Sequence, residues 1–549
     1  MNRLILGVFG FMGVLVLAIG VLVIVLVVGG GDDGDNGDTG GGPRGESELR
    51  LLGPEPSDLD PHRAQDADSA LYIVEIFGGL VTLDPDLNLQ PDLAEEIPTE
   101  ENGGKVVNED GTVSYTFKIR RDALFHDRKP VNASVVKFSL ERAADPATQS
   151  LVSEFFLGDI IGVKEKLRGE ADEVSGVRVV DQFTIEITIE REITSFLFKL
   201  TYPTAYVVDE AQVGGNANWT RNPNGTGPYK LDEWRLGELI VLEANTRYHL
   251  GAPNIATIRY LLTGTGITLY ERDEVDVTGV ALDDLTRVQD TTDRLNAEYH
   301  SGERLSISYL GFNTNAPPFD DVKVRRAFAM AIDKDELVRE VLNDAIPVAN
   351  GLLMPGLKAY TEDAQDPPFD PERALELLAE SKYGGPEGLP EITMAESGTG
   401  AASGPVTLVI QEMWLDHLGV DVGLQQSQSE TFFQDVNEGR FQLFALGWIM
   451  DYPDEENLLN IHFDSESPNN DTFYENAEVD ALLRQGLIEP LGPARNELYR
   501  EAEQLILDDV PWFPLFFSRF HVLIKPYVNN YLIPAAVVPR LRFITLDTE

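Results

Sequence analysis

The chain contains no cysteine among its 549 residues. That absence excludes disulfide bonds, thiolate nucleophiles and zinc sites built on cysteine. It also excludes membrane attachment through a lipid on an N-terminal cysteine. Stability and any membrane attachment must therefore come from other features of the chain.

Basic residues are few. Lys and Arg total 43 against 92 Asp and Glu, which gives a formal net charge of −49 at pH 7. Such a charge repels phosphates and argues against nucleic acid as a partner. The acidic excess fits either a salt-rich habitat or an ordinary, well-solvated acidic surface, and the sequence leaves both open.

Patterns of nucleotide-binding and hydrolytic sites are also missing. The chain has no GxxxxGK[ST] loop, no GxSxG motif and no HExxH motif. The seven histidines are scattered, with no pair at metal-ligand spacing: His62, His126, His249, His300, His417, His462 and His521. We therefore predict no catalytic residue, no metal site and no cofactor, and we predict that the protein is not an enzyme.

The N-terminal segment has no charge between Leu4 and Val28. As a helix this stretch would reach about 37 Å, enough to cross a hydrocarbon layer of about 30 Å. Arg3 precedes it and acidic residues follow, which predicts that the bulk of the chain lies outside the cytoplasm. A cleaved signal peptide is the alternative, although its apolar region is usually shorter. We predict a single-pass anchor in the cell membrane over residues 1–28.

Residues 29–45, "GGGDDGDNGDTGGGPRG", consist almost entirely of Gly, Asp and Asn with other polar residues. Such a segment cannot bury enough apolar surface to fold, so we predict a flexible linker. From residue 46 onward, strand and helix patterns alternate, which predicts an α/β protein.

Several elements of this body can be placed. Val113 to Ile119 alternates apolar and polar residues, as does "DQFTIEITIE" further on, and both are predicted strands. Asn132 is a candidate N-cap for the helix that follows it. "DDVKVRRAFAMAIDKDELVREVL" is predicted as one long helical stretch capped by Asp320 or Asp321, and "DPERALELLAES" and "NELYREAEQLILDDV" as amphipathic helices.

Six stretches, taken in order, resemble one family. They are "LDPHRAQDADSALYIVEIFGGLVTLDPDLNLQPDLAEE", "TVSYTFKIRRDALFHDRKPVNASVVKFSLERAADP", "GTGPYKLDEWRLGELIVLEANTRY", "LGFNTNAPPFDDVKVRRAFAMAIDKDELV", "GWIMDYPDEENLL" and "AEVDALLRQG…NELYREAEQLILDDVPWFPLFF". Together they are similar to the extracellular solute-binding proteins of the peptide/nickel class, family 5, which are the receptors of ABC importers. The resemblance covers residues 48 to 549.

The resemblance implies a periplasmic-binding-protein-like fold of two α/β lobes that close on a ligand, with an extra inserted domain. Lobe I would comprise about 46–82, 191–305 and 519–549, the inserted domain about 83–190, and lobe II about 306–518. The hinge would run through "SISYLGFNT" and "PWFPLFFSRF". We expect a monomer that works with permease subunits and separate ATPase subunits, which accounts for the missing nucleotide-binding loop.

Two departures from the family pattern stand out. The family usually has Asp-Gly-x-Pro where this chain has Asp127, Arg128, Lys129 and Pro130, so the conformation of that loop is in question. "TEENGGKVV" looks like an insertion.

The apolar stretch "FALGWIMDYPDEENLL" ends abruptly in acidic residues. In peptide-binding members of the family, an Asp at the end of this strand pairs with the ligand's α-ammonium, and Asp451 falls on that position. The resemblance thus implies a ligand site at Asp451, with Gly447, Trp448 and Ile449 beside it. Trp448 would form the wall of a side-chain pocket, and the strand backbone would pair with an extended peptide. Locally, Asp451 could equally begin a turn, with Asp454 capping a helix from residue 455.

Phe312 and Asn313, in "LGFNTN", are further candidates for the cleft, although a role in the buried core is slightly favoured. Tyr229 is expected to pack near the opposite wall of the hinge. Some peptide receptors carry a basic residue two positions before the strand glycine, where this chain has Ala445, so a fixed short peptide length is not supported. The leading prediction is a peptide receptor. A receptor for a nickel chelate, an oligosaccharide or another small solute is the alternative, followed by an adhesion or signalling protein and by an enzyme.

Overall fold

The computed structural model describes residues 47–64, 66–215, 218–398 and 403–547. The predicted anchor and linker, residues 1–28 and 29–45, lie outside these ranges. Among the described residues, no helix combines the length and the apolar composition needed to cross a membrane.

Strands and helices alternate along the described chain. The strands are β1 (Glu48–Leu52), β2 (Val81–Leu83), β3 (Leu89–Pro91), β4 (Lys105–Val107), β5 (Val113–Lys118), β6 (Val177–Asp181), β7 (Thr184–Ile189), β8 (Tyr229–Arg235), β9 (Leu239–Ala244), β10 (Thr257–Leu261), β11 (Val277–Gly279), β12 (Tyr299–Phe312), β13 (Ile392–Ser397), β14 (Val422–Ser427), β15 (Leu443–Ile449), β16 (Trp512–Ile524), β17 (Val528–Asn529) and β18 (Thr545–Leu546). The α-helices are α1 (Ala67–Ile76), α2 (Ala133–Ala143), α3 (Ser153–Leu157), α4 (Val163–Leu167), α5 (Phe196–Lys199), α6 (Glu210–Val213), α7 (Gly266–Glu271), α8 (Leu282–Gln289), α9 (Val322–Met330), α10 (Lys334–Val341), α11 (Pro371–Glu380), α12 (Pro405–Leu418), α13 (Ser429–Asn437), α14 (Leu459–Phe463), α15 (Ala477–Ile488) and α16 (Pro493–Asp509).

One ten-stranded sheet runs through both lobes, in the order β14-β13-β15-β12-β16-β11-β1-β10-β9-β8. We call the side with β1 and β8 to β11 lobe I, and the side with β13 to β15 lobe II. The long antiparallel pair β12–β16 joins them, and its register shifts between Glu303 and Ile307. The two predicted hinge segments lie in these strands, extended and largely buried.

A separate four-stranded sheet, β4-β5-β7-β6, lies within the predicted inserted domain, and α2 packs on it. We call it the small sheet. Its core faces are apolar because alternate residues point inward, and Ile185, Ile187 and Ile189 are fully buried. The Asn132 side chain accepts a hydrogen bond from the Val135 N–H and caps α2, as predicted. The predicted domain boundaries themselves stay predictions.

The long helical stretch after residue 320 is divided, so the prediction of one helix is wrong. Asp321 caps α9 by accepting a hydrogen bond from the Lys323 N–H, and this half of the prediction is confirmed. Asp333 then accepts from the Glu336 N–H and begins α10. A short acidic side chain that satisfies free N–H groups of a new first turn competes with continuation of the preceding helix.

The loop that departs from the family pattern keeps a turn that a glycine would favour. Arg128 takes a left-handed conformation with φ of 76°. Asp127 accepts a hydrogen bond from the Lys129 N–H, and the Lys129 ammonium reaches Asp209 at 2.9 Å. These contacts hold a conformation that costs a residue with a Cβ roughly 1–2 kcal/mol.

The strand pair that joins the lobes should be the most sensitive part of the core. Leu310 of β12 is fully buried, whereas Leu236, just after β8, is 64% exposed. We expect Leu310→Ala to lower the free energy of unfolding by about 2–5 kcal/mol through lost burial and a residual cavity. Leu236→Ala should change it by less than about 0.5 kcal/mol. Urea unfolding of both variants checks this, and equal effects would contradict it.

Candidate functional site

A cavity of about 280 Å³ lies between the lobes. Its walls come from α1, from the end of β15, from the lobe I part of β16 and from an irregular segment near the C-terminus. The lining includes Pro54, Asp66–Asp68, Ala70, Leu71, Val74, Thr82, Leu83, Thr201–Pro203, Tyr206, Arg304, Ile449–Asp451, Phe520, Val522, Tyr531 and Ile533–Arg540. Most of these side chains are apolar, and the few charged ones are set among them.

Strand β15 leads to this cavity. It pairs with β12 along its whole length, but β13 pairs only as far as Phe444. The Met450 N–H donates to the Leu305 carbonyl, so the alternation of an antiparallel ladder turns the N–H and C=O groups of Gly447 and Ile449 the other way. Among the described residues no strand pairs with that edge. It is a place where an extended chain can add to the sheet.

Asp451 follows the strand at the cavity wall. Its N–H donates to Asn457 Oδ1 at 2.9 Å, and Asn457 Nδ2 lies 3.3 Å from Asp451 Oδ2. The Asn457 side chain is itself fully buried, so it holds the start of the turn in place. Asp451 thus begins a turn and also lines the cavity, and the two readings of the sequence are compatible.

The electrostatics of Asp451 are those of a carboxyl group that lacks a cation. In the part of the chain that the structure describes, no Lys, Arg or His lies within ion-pair distance of it. Burial raises the pKa of Asp451 to about 7. The hydrogen bond from Asn457 opposes this rise, and the Glu456 carboxylate adds to it. A cationic group in the cavity would favour the ionised form.

The other acidic residues of the run are already paired. Asp454 caps the short 3₁₀ turn Glu455–Asn457, as predicted. Arg495 contacts Asp454 at 2.7 Å and Glu455 at 3.2 Å, and all three side chains are buried. These carboxylates therefore serve the structure of lobe II.

Glu456 connects lobe II to the side of the small sheet. Lys199 lies 3.4 Å from Glu456 and 2.8 Å from Asp159, and Ser195 Oγ lies 3.2 Å from Glu456. Burial alone would lower the pKa of Lys199, but the two carboxylates outweigh it and raise it. The Tyr452 hydroxyl also bonds Glu456. The acidic run thus tightens a contact between two parts of the molecule.

Three of the predicted site residues are not at the cavity. Trp448 is buried in the core of lobe II, where its Nε1 donates to the Asn457 carbonyl and its ring meets His462 edge-on. Phe312 is fully buried against Phe319, and Asn313 donates to two backbone carbonyls of lobe II. Phe312 is the last residue of β12 and Asn313 follows it, about 26 Å along the strand from the cavity residue Arg304.

Of the other predicted site residues, Ile449 lines the cavity, and Gly447 lies two residues before it on the same strand edge. Trp448 points to the opposite face because side chains alternate along a strand. Tyr229 packs in the lobe I core on β8, the edge strand of the sheet, and not beside the hinge strands where we expected it.

The sequence analysis did not identify several other polar side chains of the cavity, among them Asp66, Asp68, Tyr202, Arg304 and Arg540. Asp66 caps α1, and this N-cap signal was readable. The Tyr202 hydroxyl has a pKa raised well above its usual value by burial and by the charges of Asp451 and Asp66. No local pattern marks the two arginines. Arg304 lies on the hinge strand β12, and the long-range folding of the C-terminal segment brings Arg540 to the cleft.

A second, wider groove of about 1180 Å³ lies between α2 and α6. Arg142, in its wall, is held by Asp60 at 2.5 and 2.9 Å and contacts His62 at 2.8 Å. Its central charges are therefore already paired. Within the described ranges no three His, Asp or Glu side chains are placed to hold a metal ion.

Comparison with known proteins gives the same family as the sequence resemblance. The profile of "Bacterial extracellular solute-binding proteins, family 5 Middle" matches residues 88–470. The chain is 28% identical to the periplasmic oligopeptide-binding protein OppA of Escherichia coli, over 88% of this chain and 89% of that protein. It is also 28% identical to the probable deoxycholate-binding periplasmic protein YgiS of E. coli, over 87% and 89% of the two chains. The structure of the E. coli murein tripeptide-binding protein MppA superposes with a TM-score of 0.73 at 25% identity, covering 91% of this chain and 98% of that one.

The profile covers well over half of the chain, and the superposition on MppA over 91% of this chain agrees with it. The chain therefore belongs to the bacterial extracellular solute-binding proteins of family 5.

Proposed function

We propose that the protein is an extracytoplasmic receptor that captures peptides and delivers them to an ABC importer. The single observation that carries the peptide reading is Asp451, a carboxylate without a cation in a cavity between two lobes. Membership of a solute-binding family supports a receptor rather than an enzyme. Relatives named for oligopeptides and for a murein tripeptide support peptide ligands.

The α-ammonium of a peptide would bind to Asp451. A carboxylate withdrawn from water is costly by itself. A charge-assisted hydrogen bond from an ammonium removes much of that cost. The free edge at Gly447 and Ile449 lies immediately before Asp451, so a peptide backbone would pair there and leave its side chains in the apolar part of the cavity.

Capture would proceed by closure of the lobes around β12 and β16. Closure is supported by contacts that join lobe II to the side of the small sheet: the Lys199–Glu456 pair, and the Thr194 N–H, which donates to the Leu487 carbonyl at 2.9 Å. The closed form would dock on the permease, and the ATPase would reside in partner subunits. The apolar segment Leu4–Val28 would tether the receptor to the membrane, with residues 29–45 as linker.

A receptor for a non-peptide solute is the second candidate. The apolar walls of the cavity favour it, since Ile449, Met450, Phe520 and Val522 offer surface to a hydrophobic body. The relative named for deoxycholate supports the same alternative. A ligand of this kind would not need a free amine.

The first test is the dependence of binding on the ligand's amine. We expect an equimolar pool of apolar di- to pentapeptides to bind the full chain, and N-acetylation of the same pool to abolish binding. Asp451→Asn should weaken binding at least about 30-fold, because an ammonium buried without its partner costs about 2 kcal/mol or more. Isothermal calorimetry measures both effects.

The matched control is Glu497→Gln, which removes a carboxylate that is 74% exposed in the same lobe, and it should bind as the unmodified protein does. Unchanged affinity of Asp451→Asn, or of the acetylated pool, would show that Asp451 does not read an ammonium. Binding of deoxycholate, a nickel–histidine chelate or an oligosaccharide in place of the peptides would favour the non-peptide receptor.

The pH dependence of peptide affinity provides a second test. Ligand binding requires ionised Asp451, whose pKa in the empty site is about 7. Affinity should therefore rise up to tenfold per pH unit from about pH 5 to 7, and fall again above about pH 8 as the peptide amine loses its proton. Asp451→Asn should remove the acid limb only. An acid limb of the same slope in Asp451→Asn would assign it to another group.

A further inference from the structure

Residues 531–540, "YLIPAAVVPR", form neither helix nor strand, and we call them the strap. All of them except Leu532 line the cavity. The strap therefore forms one whole wall of the site, and that wall comes from the C-terminal part of the chain.

The strap is fastened at its middle to the hinge. The Leu305 N–H donates to the Ala535 carbonyl at 3.0 Å. Ile533 packs so closely on Gly302 that a Cβ at residue 302 would lie 2.9 Å from it. Ala535 packs against the core of lobe II, whereas Tyr531 and Ile533 pack against that of lobe I. The strap thus crosses the cleft and contacts both lobes.

Its far end is held by a buried carboxyl group. Glu75 Oε1 accepts hydrogen bonds from the N–H groups of Arg540 at 2.7 Å and Leu541 at 3.0 Å. Burial raises the pKa of Glu75 to about 7, and these two backbone bonds oppose the rise. The backbone of Arg540 is therefore held firmly at the cavity edge.

The Arg540 guanidinium is only partly used. It donates to the Leu532 carbonyl at 3.3 Å and to the Tyr531 hydroxyl at 3.2 Å, and it lies over the Tyr531 ring. A guanidinium has five N–H donors, so most remain available. No carboxylate of the described residues lies within ion-pair distance of it.

The other arginine of the cavity differs. Burial lowers the pKa of Arg304, and the nearby Asp68 carboxylate offsets part of that effect. The charge of Arg304 is thus already matched by an acid of lobe I. Arg540 lies near enough to Glu75 for its charge to lower the pKa of that carboxyl group, but within the described chain no carboxylate contacts its guanidinium.

We propose that Arg540 receives the carboxylate of a short zwitterionic ligand whose ammonium is held by Asp451, and that the strap limits the length of that ligand. This inference rests on the proposed function. A bidentate arginine–carboxylate contact is strong and directional. Charges of opposite sign in an apolar cavity match a molecule with two free charged ends and an apolar body.

The cavity volume sets the length of this ligand. About 280 Å³ is the liquid volume of roughly nine waters. That is the scale of a di- or tripeptide of small residues, and it lies at the lower end of ligand pockets. A longer peptide would have to displace the strap and break its bond to Leu305.

The test compares carboxylate and amide ligands. Dialanine, trialanine, tetraalanine and pentaalanine, each as free acid and as C-terminal amide, are titrated into the full chain by calorimetry. We expect the di- or tripeptide acid to bind about 30-fold more tightly than its amide. Arg540→Gln should weaken the acid to the level of the amide and leave amide affinity unchanged. Unchanged affinity of Arg540→Gln for the peptide amide would also show that the variant is folded.

Arg542→Gln is the matched control. Arg542 lies two residues further on, donates to the Leu250 carbonyl at 3.4 Å and does not line the cavity. This variant should bind all ligands as the unmodified protein does. Tetraalanine and pentaalanine acids should bind more weakly than the shorter acids.

Each other outcome has a distinct meaning. Equal affinity for acid and amide, or equal loss of both in Arg540→Gln, would overturn the role of Arg540 while the peptide-receptor function stands. Tighter binding of tetra- and pentaalanine would overturn the length limit. If no alanine peptide binds but the broader pool of apolar peptides does, both parts of the proposal are wrong: the role of Arg540 in binding the carboxylate and the limit on peptide length. If the pool fails as well, the proposed function fails with it.

Discussion

Two backbone hydrogen bonds at Leu305 hold the site together. Its carbonyl accepts from the Met450 N–H, and its N–H donates to the Ala535 carbonyl. One residue of a strand shared by both lobes thus fixes the residue before Asp451 on one side and the middle of the strap on the other. The register shift of the β12–β16 pair lies directly at this point. The strap and the end of β15 are therefore held to the same residue of a hinge strand.

The acidic residues after β15 differ in whether the fold provides a cation for them. Asp454 and Glu455 share Arg495, and Glu456 reaches Lys199, so three buried carboxylates have cations. Asp451 has only the amide of Asn457. A buried, unpaired carboxylate is costly and adds nothing to stability. Because Asp451 lies at a cavity wall, a cationic ligand could supply the positive charge that no residue of the described chain places beside it.

Periodicity and local capping made much of the fold predictable. Strand β5, the Asn132 and Asp454 caps and the amphipathic α11 and α16 depend on residues close in sequence. Asp451 drew attention as an acid that ends an apolar strand, but its predicted ligand role came from the resemblance to the family, and the structure places it at the cavity wall. Trp448 and Phe312 lie in the core of lobe II rather than at the cavity, and sequence could not decide this because aromatic side chains suit a cleft and a core equally well. Arg540 carries no local signal at all, since it reaches the cavity only through packing of the C-terminal segment on Glu75, hundreds of residues earlier in the chain.

In the proposed function, Glu456 would link the ligand to closure. Its carboxylate contributes to the raised pKa of Asp451 and also contacts Lys199 from the side of the small sheet. A ligand ammonium on Asp451 would offset the repulsion between the two carboxylates, which would favour the contact of Glu456 with Lys199. Coupling of this kind is reciprocal, so a contact that holds the lobes together must also strengthen ligand binding. Ligand charge and closure would thus be joined through one carboxylate, without a contact between Lys199 and the ligand.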